Sequence, residues 1–370
     1  IRRAMADHLT QGAPLVAETG GLNAMIVDST ALLEQAVADV VASAFQSAGQ
    51  RCSALRCLYV QADIAETFSE MLFGAMEELC VGDPWNVATD VGPVIDAEAY
   101  DAICDYLSGV DIAKQVRIPE DGLFVPPTVV RVSGIGALKK EIFGPVLHLA
   151  TFEADGLNDV IADINAQGYG LTFGLHTRID SRVQDIVEAV DVGNVYVNRN
   201  QIGAVVGSQP FGGEGLSGTG PKAGGPFYSA RFRTSGRGAE MTERDMPGPT
   251  GETNRLSLHP RAPFLCLGPG AENVAAQRRA VQARGGIATD AETVDPETLI
   301  DRENFAGALW WGDQDIGRAY AQALARRAGP ILPLITAEPR VFEVMHERHL
   351  CVDTTASGGN AALLADVANA

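Results

Sequence analysis

Apolar residues recur at helical spacing over residues 31–46, with Ala36, Ala38, Ala42 and Ala44 small enough for close packing. The stretch predicts a helix capped by Asp28 or Ser29 and stopped near Gly49. Ahead of it, the apolar runs 13–17 and 24–27 flank Glu18-Thr19-Gly20-Gly21 and predict two short strands around a glycine turn. Residues 1–9 read as a helix. Beyond Cys52, residues 56–60 read as a buried strand, 64–79 as an amphipathic helix and Gly82-Asp83-Pro84 as a turn. Strand and helix alternate in this way to about Val197, the pattern of a largely parallel sheet.

Periodicity weakens over 199–225, which is rich in glycine around Pro210-Phe211-Gly212-Gly213. Residues 233–252 are polar and rich in Gly, Pro and charge, and mark the expected interdomain linker. Alternation then restarts. Strands are expected at 264–267, 307–311, 331–336 and 349–353, and helices at 272–284, 315–327, 340–347 and after Gly358-Gly359. The expected organisation is an α/β region at 1–232, the linker 233–252, and a smaller open α/β domain of about four strands at 253–370.

A length of 370 residues agrees with two or three domains, and 46% apolar against 20% charged residues excludes a disordered chain. Acidic residues outnumber basic ones 47 to 28, and a net charge of −19 repels phosphate backbones, so nucleic acid is not an expected partner. No apolar run reaches the roughly 20 residues a membrane-spanning helix needs. Six scattered cysteines without a CxxC pair, and no leader-like segment, fit a reducing cytoplasm. The six histidines form no ligand-spaced metal motif. Cys57, Cys80, Cys104, Cys266 and Cys351 sit mainly in apolar runs and read as small hydrophobes, and Trp310-Trp311 as strand core or a domain contact. Gly268-Pro269-Gly270 follows a predicted strand, but a lone GxG is a weak phosphate signal.

Two residues stand out chemically. Cys52 lies just past a helix in the polar setting Gly49-Gln50-Arg51-Cys52-Ser53, where a thiol keeps the partial exposure a nucleophile requires. Glu18 sits between an apolar run and two glycines, a place where a carboxylate is costly unless it lines a cavity or has a partner. One predicted strand and one helix separate them, which can return the chain and bring base and thiol together, the carboxylate activating water to hydrolyse a thioester.

In combination, Glu18-Thr19-Gly20-Gly21, Gly49-Gln50-Arg51-Cys52, Glu141-Ile142-Phe143-Gly144-Pro145-Val146, Tyr169-Gly170-Leu171-Thr172-Phe173-Gly174 and Pro210-Phe211-Gly212-Gly213 resemble the aldehyde dehydrogenase superfamily in order and spacing. The run Asn198-Arg199-Asn200-Gln201-Ile202-Gly203-Ala204-Val205-Val206-Gly207 is similar to the branch that oxidises L-glutamate γ-semialdehyde, the hydrolysed form of 1-pyrroline-5-carboxylate. The segment from Cys351 to Asn360 resembles the tail of the bifunctional proline utilization A enzymes.

The resemblance implies a three-layer catalytic domain with a mostly parallel sheet, followed by a smaller Rossmann-like α/β domain acting as a noncatalytic lid or assembly element. It implies NAD as cofactor. Cys52 becomes the nucleophile, with its backbone N–H in the oxyanion hole, and Glu18 the base that activates water. Glu141, Phe143 and Gly20 become cofactor-binding residues, while Ser53, Gly203 and Ala204 grip the substrate carboxylate and Phe211 walls its aliphatic stem. No metal is expected. Further implications are a homo-oligomer and a bacterial cytoplasmic setting, the full-length parent being peripheral to the membrane. The family's dinucleotide-binding domain, its oxyanion asparagine and the FAD-dependent proline dehydrogenase of the bifunctional relatives have no counterpart in this sequence, so the cofactor site is expected to be incomplete and the chain inactive alone. The alternatives are an aldehyde dehydrogenase of other specificity and a noncatalytic oligomerisation or tunnel-capping module.

Overall fold

A strand buried on both faces needs no polar alternation, and Ala24–Val27 is such a strand, all four residues being inaccessible. In the computed structural model, which describes residues 1–233, 243–292 and 294–355, it pairs in parallel with Cys57–Gln61 on one side and Thr172–His176 on the other. The sheet continues in parallel from Cys57–Gln61 to Val146–Phe152 and Thr128–Arg131, and ends in antiparallel Ile112–Gln115. On the other side Asn194–Val197 follows Thr172–His176. Beyond it come strands that include residues 350–353 and then 252–254.

Side chains alternate across this sheet and build two cores. Ala24, Ile26, Cys57 and Tyr59 face one cluster with Val160, Ile164, Val183 and Ile186 of the helices Leu157–Ala166 and Asp180–Ala189. Met25, Val27, Leu58 and Val60 face another with Val37, Val40, Phe68 and Leu72 of Leu33–Phe45 and Ala65–Glu77. Helix, sheet and helix therefore make three layers.

The chain forms two compact units, and the division does not follow sequence order. Of the described residues, the larger comprises 20–208, 246–254 and 350–355, and the smaller 1–19, 209–233, 243–245, 255–292 and 294–349. Within the smaller unit, Ala288–Asp290, Phe264–Cys266, Gly307–Leu309 and Leu334–Ile335 form, in that order, an all-parallel sheet. Phe264 and Leu309 pack with Val281 of the helix Gly270–Gln282, whereas Leu265 and Ala308 pack with Tyr320 and Leu324 of Gln314–Arg326. Helices on both faces of a parallel sheet give the Rossmann-like arrangement.

Several local expectations need correction. Residues 13–17 form no strand: Glu18 alone makes a bridge, to Gly218, while Thr219 exchanges bonds with Ala17. Neither Asp28 nor Ser29 caps the helix that starts at Leu33. Asp28 is buried, and its carboxylate is consumed by the Thr30 N–H and hydroxyl and by Arg182 at 2.7 Å. The strand Ala288–Asp290 was not expected, because a short, largely exposed edge strand carries no apolar pattern. The helix expected over 340–347 is only Val341–Val344, and the chain turns at once into the nine-residue strand Met345–Asp353, whose end counts with the larger unit. Cys80 is exposed and Cys104 half-buried, unlike the buried Cys57, Cys266 and Cys351. The helix expected after Gly358-Gly359 lies outside the described residues.

Candidate active site

The loop carrying Cys52 is shaped by an unusual reversal. Ser47, Ala48 and Gly49 take positive φ values of 57°, 53° and 64° in succession, ending the helix Leu33–Phe45 abruptly. Non-glycine residues in this region carry about 1–3 kcal/mol of strain each, which the surroundings must hold. At Gly49 a side chain is excluded outright, since a Cβ would lie 2.1 Å from the carbonyl oxygen of Gly144.

Three successive carbonyls of the loop are then fixed by buried side chains. Asn23 Nδ2 donates to the carbonyls of Cys52 (2.7 Å) and Ala54 (2.9 Å), and Gln201 Nε2 and Thr172 Oγ1 donate to that of Ser53 (3.2 and 3.3 Å). Such anchoring preorganises the segment while the Cys52 residue itself stays half-exposed.

Arg56 ties this loop to the 141–146 motif. Its guanidinium is wholly buried and donates to Glu141 Oε1 from Nε (3.2 Å) and Nη2 (3.0 Å), to the Gly144 carbonyl (3.2 Å) and to the Arg51 carbonyl (3.2 Å). It also stands 5.3 Å above the Phe143 ring, which is 45% exposed. Burial pushes the guanidinium down from its usual range, opposed by Glu141 and Cys52. The other oxygen of Glu141 accepts the Gly21 N–H at 3.1 Å. Gly20, at φ 124°, leaves room for that oxygen, for a Cβ there would come within 2.8 Å of it. Cys52, Gly20, Glu141 and Phe143 are thus gathered around one arginine.

Of the residues expected to hold substrate, Ser53 is buried and Ala204 half-buried, whereas Gly203, at φ 70°, is exposed. A Cβ on Gly203 would touch only Arg51 Nη1, at 3.9 Å, so a ligand can approach this backbone closely and meet a cation there.

Glu18 and Phe211 belong to the smaller unit. Glu18 is exposed as a residue, yet its carboxylate is crowded: Oε2 accepts the Gly213 N–H at 3.0 Å, and Oε1 lies where a Cβ on Gly212 or Gly218 would come within 3.1 or 2.9 Å. Crowding out of water pushes its pKa up to about 7, with the Gly213 N–H and Lys222 pulling the other way. Half-buried Phe211 exchanges both backbone hydrogen bonds with Ala223, at 3.0 and 2.8 Å.

A large open cavity of about 1410 Å³ lies elsewhere in the smaller unit, between the N-terminal helix Arg2–His8 and residues 331–345, and none of these candidate residues lines it. Among the described residues no group of His, Cys, Asp and Glu could hold a metal ion, and no helix is long and apolar enough to cross a membrane.

The sequence profile of the aldehyde dehydrogenase family matches residues 1–234. The chain belongs to the aldehyde dehydrogenase family. It is 39% identical over 456 aligned residues to the bifunctional protein PutA of Salmonella typhimurium, covering 98% of this chain and 34% of that protein. It is 37% identical over 234 residues to the 1-pyrroline-5-carboxylate dehydrogenase of Bacillus cytotoxicus, covering 61% of this chain and 45% of that one. The solved structure of proline utilization A from Corynebacterium freiburgense superposes with a TM-score of 0.75 at 25% identity, over 92% of this chain and 39% of that one. The chain therefore spans about a third of the length of the PutA relative it matches.

Arg56 and Asn23, which brace the Cys52 loop, and Lys222, which faces Glu18, were not among the expected site residues. Arg56 had a signal, a lone charge inside the apolar run 54–60, where burial demands a partner. Lys222 had none, because the glycine-rich segment around it carries no periodicity.

Proposed function

We propose that this chain carries the catalytic thiol, base and substrate anchor of an NAD-dependent dehydrogenase of L-glutamate γ-semialdehyde, part of a longer bifunctional enzyme of proline catabolism. The thiolate of Cys52 adds to the aldehyde carbon to give a thiohemiacetal, which loses hydride to become a thioester. Water, deprotonated by Glu18, adds to the thioester carbonyl and expels the thiolate, releasing glutamate. NAD⁺, when bound, supplies the hydride acceptor. The residues fit one side of such a cofactor: Glu141 has its carboxylate held by Arg56 and the Gly21 N–H, and Phe143 offers an exposed ring.

The observation that carries this reading is the anchored Cys52 loop sharing Arg56 with Glu141. Its substrate class rests on the exposed left-handed Gly203 beside the Arg51 cation, which suits a carboxylate, and on the likeness to a 1-pyrroline-5-carboxylate dehydrogenase. The reading takes residues 1–232 as the catalytic region, 233–252 as a linker and 253–370 as a noncatalytic α/β domain serving as lid or in assembly. The enzyme acts in the bacterial cytoplasm as a homo-oligomer, without nucleic acid.

The test is NADH formation from glutamate semialdehyde by this chain and by one extended N-terminally with a cofactor domain, each with Cys52 or with Cys52→Ala. Turnover only by the extended, Cys52-containing protein is expected, together with a preference for the carboxylated aldehyde over an aliphatic one. An inactive extended protein overturns the substrate assignment, and turnover by the isolated chain overturns its dependence on a further domain.

A further inference from the structure

A lysine is almost never fully buried without partners, yet Lys222 is only 2% exposed. Its backbone N–H donates to Glu347 Oε2 at 2.7 Å, and its Nζ donates to the carbonyl oxygen of Gly212. The next backbone N–H, that of Gly213, donates to Glu18 Oε2 at 3.0 Å. The Gly212 oxygen and the Gly213 N–H belong to one peptide group and point to opposite sides of it. Lysine and glutamate thus clamp the two ends of a single peptide, and a cation on the oxygen polarises the N–H toward the carboxylate. The clamp is supported by its frame, since Phe211 and Ala223 pair on one side and Glu18 and Gly218 on the other.

We propose that Lys222 is a positioning residue for the general base: its buried ammonium braces the 212–213 peptide that donates to Glu18 and presents a fixed positive charge to that carboxylate. The inference rests on Glu18 being the base proposed above. Around Lys222 stand the carboxylates of Glu347, Glu214 and Glu18 and the guanidinium of Arg348. Glu214 is in turn held by His346 at 2.6 Å and faces Arg348 and Arg261. Burial draws the ammonium down to about 8, against the pull of Glu347, Glu214 and Glu18. It therefore stays charged through the range in which Glu18, with a pKa of about 7, becomes a base. Above about pH 8 the lysine loses its proton and the attraction ends.

The coupling can be read directly on this chain, without turnover. Carboxyl ¹³C-labelled glutamate reports the titration of Glu18, its resonance assigned by loss in Glu18→Gln. Lys222→Met should move the midpoint upward by about one unit, the scale expected on losing a nearby opposite charge, and Lys222→Arg should restore most of it. Binding linkage is reciprocal, so Glu18→Gln, which leaves the buried lysine in place, should lower the Lys222 midpoint, read by ¹³Cε lysine, by the same amount. A folded Lys222→Met chain with an unmoved Glu18 midpoint overturns the proposal. If that variant does not fold, an unmoved Lys222 midpoint in Glu18→Gln overturns it. Failure of the base assignment itself appears elsewhere: in a chain joined to its cofactor domain, Glu18→Gln would then leave thioester hydrolysis intact while these midpoints still move.

Discussion

Gly49 shows how little freedom the loop leading to Cys52 has at a single residue. Its left-handed φ of 64° and the Gly144 oxygen, 2.1 Å from where a Cβ would stand, both forbid a side chain. Backbone must move, because the obstacle is a carbonyl and not the end of a flexible side chain. Gly49→Ala should therefore cost more than the roughly 1 kcal/mol of an ordinary glycine replacement, seen as a lower urea midpoint, and should displace the Cys52 loop. Glu18 offers a second prediction at this scale, through its proton. The folded chain holds a proton on Glu18 up to about pH 7, while the unfolded chain gives it up near 4.5. Between these values the folded state binds more protons, so the contribution of Glu18 to stability is present below about 4.5 and is lost as the pH rises through 7. Glu18→Gln should remove that part of the slope in urea unfolding measured from pH 4 to 8. In the complete enzyme, thioester hydrolysis should rise with pH through a midpoint near 7 and lose that rise in the same variant.

At the scale of elements, Arg56 connects what the chain separates. It stands next to the strand Cys57–Gln61 and reaches the Arg51 carbonyl of the thiol loop, and Glu141 and Gly144 of the segment before Val146–Phe152. Arg56→Met would leave Glu141 Oε1 without its guanidinium and take one of two donors from the Arg51 and Gly144 carbonyls, which keep the N–H groups of Ala54 and Val146. Breaking a buried pair by removing one partner costs about 3–5 kcal/mol; since Glu141 keeps some access to water, a loss of about 3 kcal/mol is expected. Thermal and urea unfolding measure it. Reaction of Cys52 with iodoacetamide should also change in rate, because the guanidinium that holds the Arg51 carbonyl and faces the thiol is gone. The motif itself was legible, as Glu141 and Phe143 were picked out with Cys52 and Gly20. The arginine joining them was not picked out: a lone charge in an apolar run says that a partner is needed, and only the fold shows that the partners are the Arg51 carbonyl and the 141–144 segment. The same holds for Asp28: a short acidic residue before a helix reads as a cap, and only the fold brings Arg182 to its carboxylate.

For the molecule as a whole, strand and helix alternation gave the largely parallel sheet, since buried parallel strands are written as continuous apolar runs, while its three layers were implied by the family resemblance. Alternation was less informative where strands are short and exposed, as at Ala288–Asp290, and where one strand follows a helix without a break, as at Met345. The smaller parallel sheet raises a question that alternation could not answer, whether Gly268-Pro269-Gly270 binds a nucleotide. In an open parallel sheet the ligand crevice lies at the carboxyl ends of the strands where their order reverses, here between Phe264–Cys266 and Gly307–Leu309. That crevice is filled by the protein. Gln277 accepts from the Gly268 N–H at 3.0 Å and donates to its carbonyl at 2.8 Å, and the Trp311 N–H donates to the same carbonyl at 3.0 Å. Trp310 and Pro269 close over Gly312, where a Cβ would meet them at 2.6 and 2.7 Å. With the Gly268 N–H already spent, no donor of that residue is left for a phosphate. NAD⁺ or ADP added to the chain at millimolar concentration should therefore leave hydrogen exchange over 264–282 and 307–312 unchanged. Protection of the Gly268 and Gly270 amides on adding nucleotide would mean that Gln277 yields to a phosphate, and that this unit binds nucleotide after all.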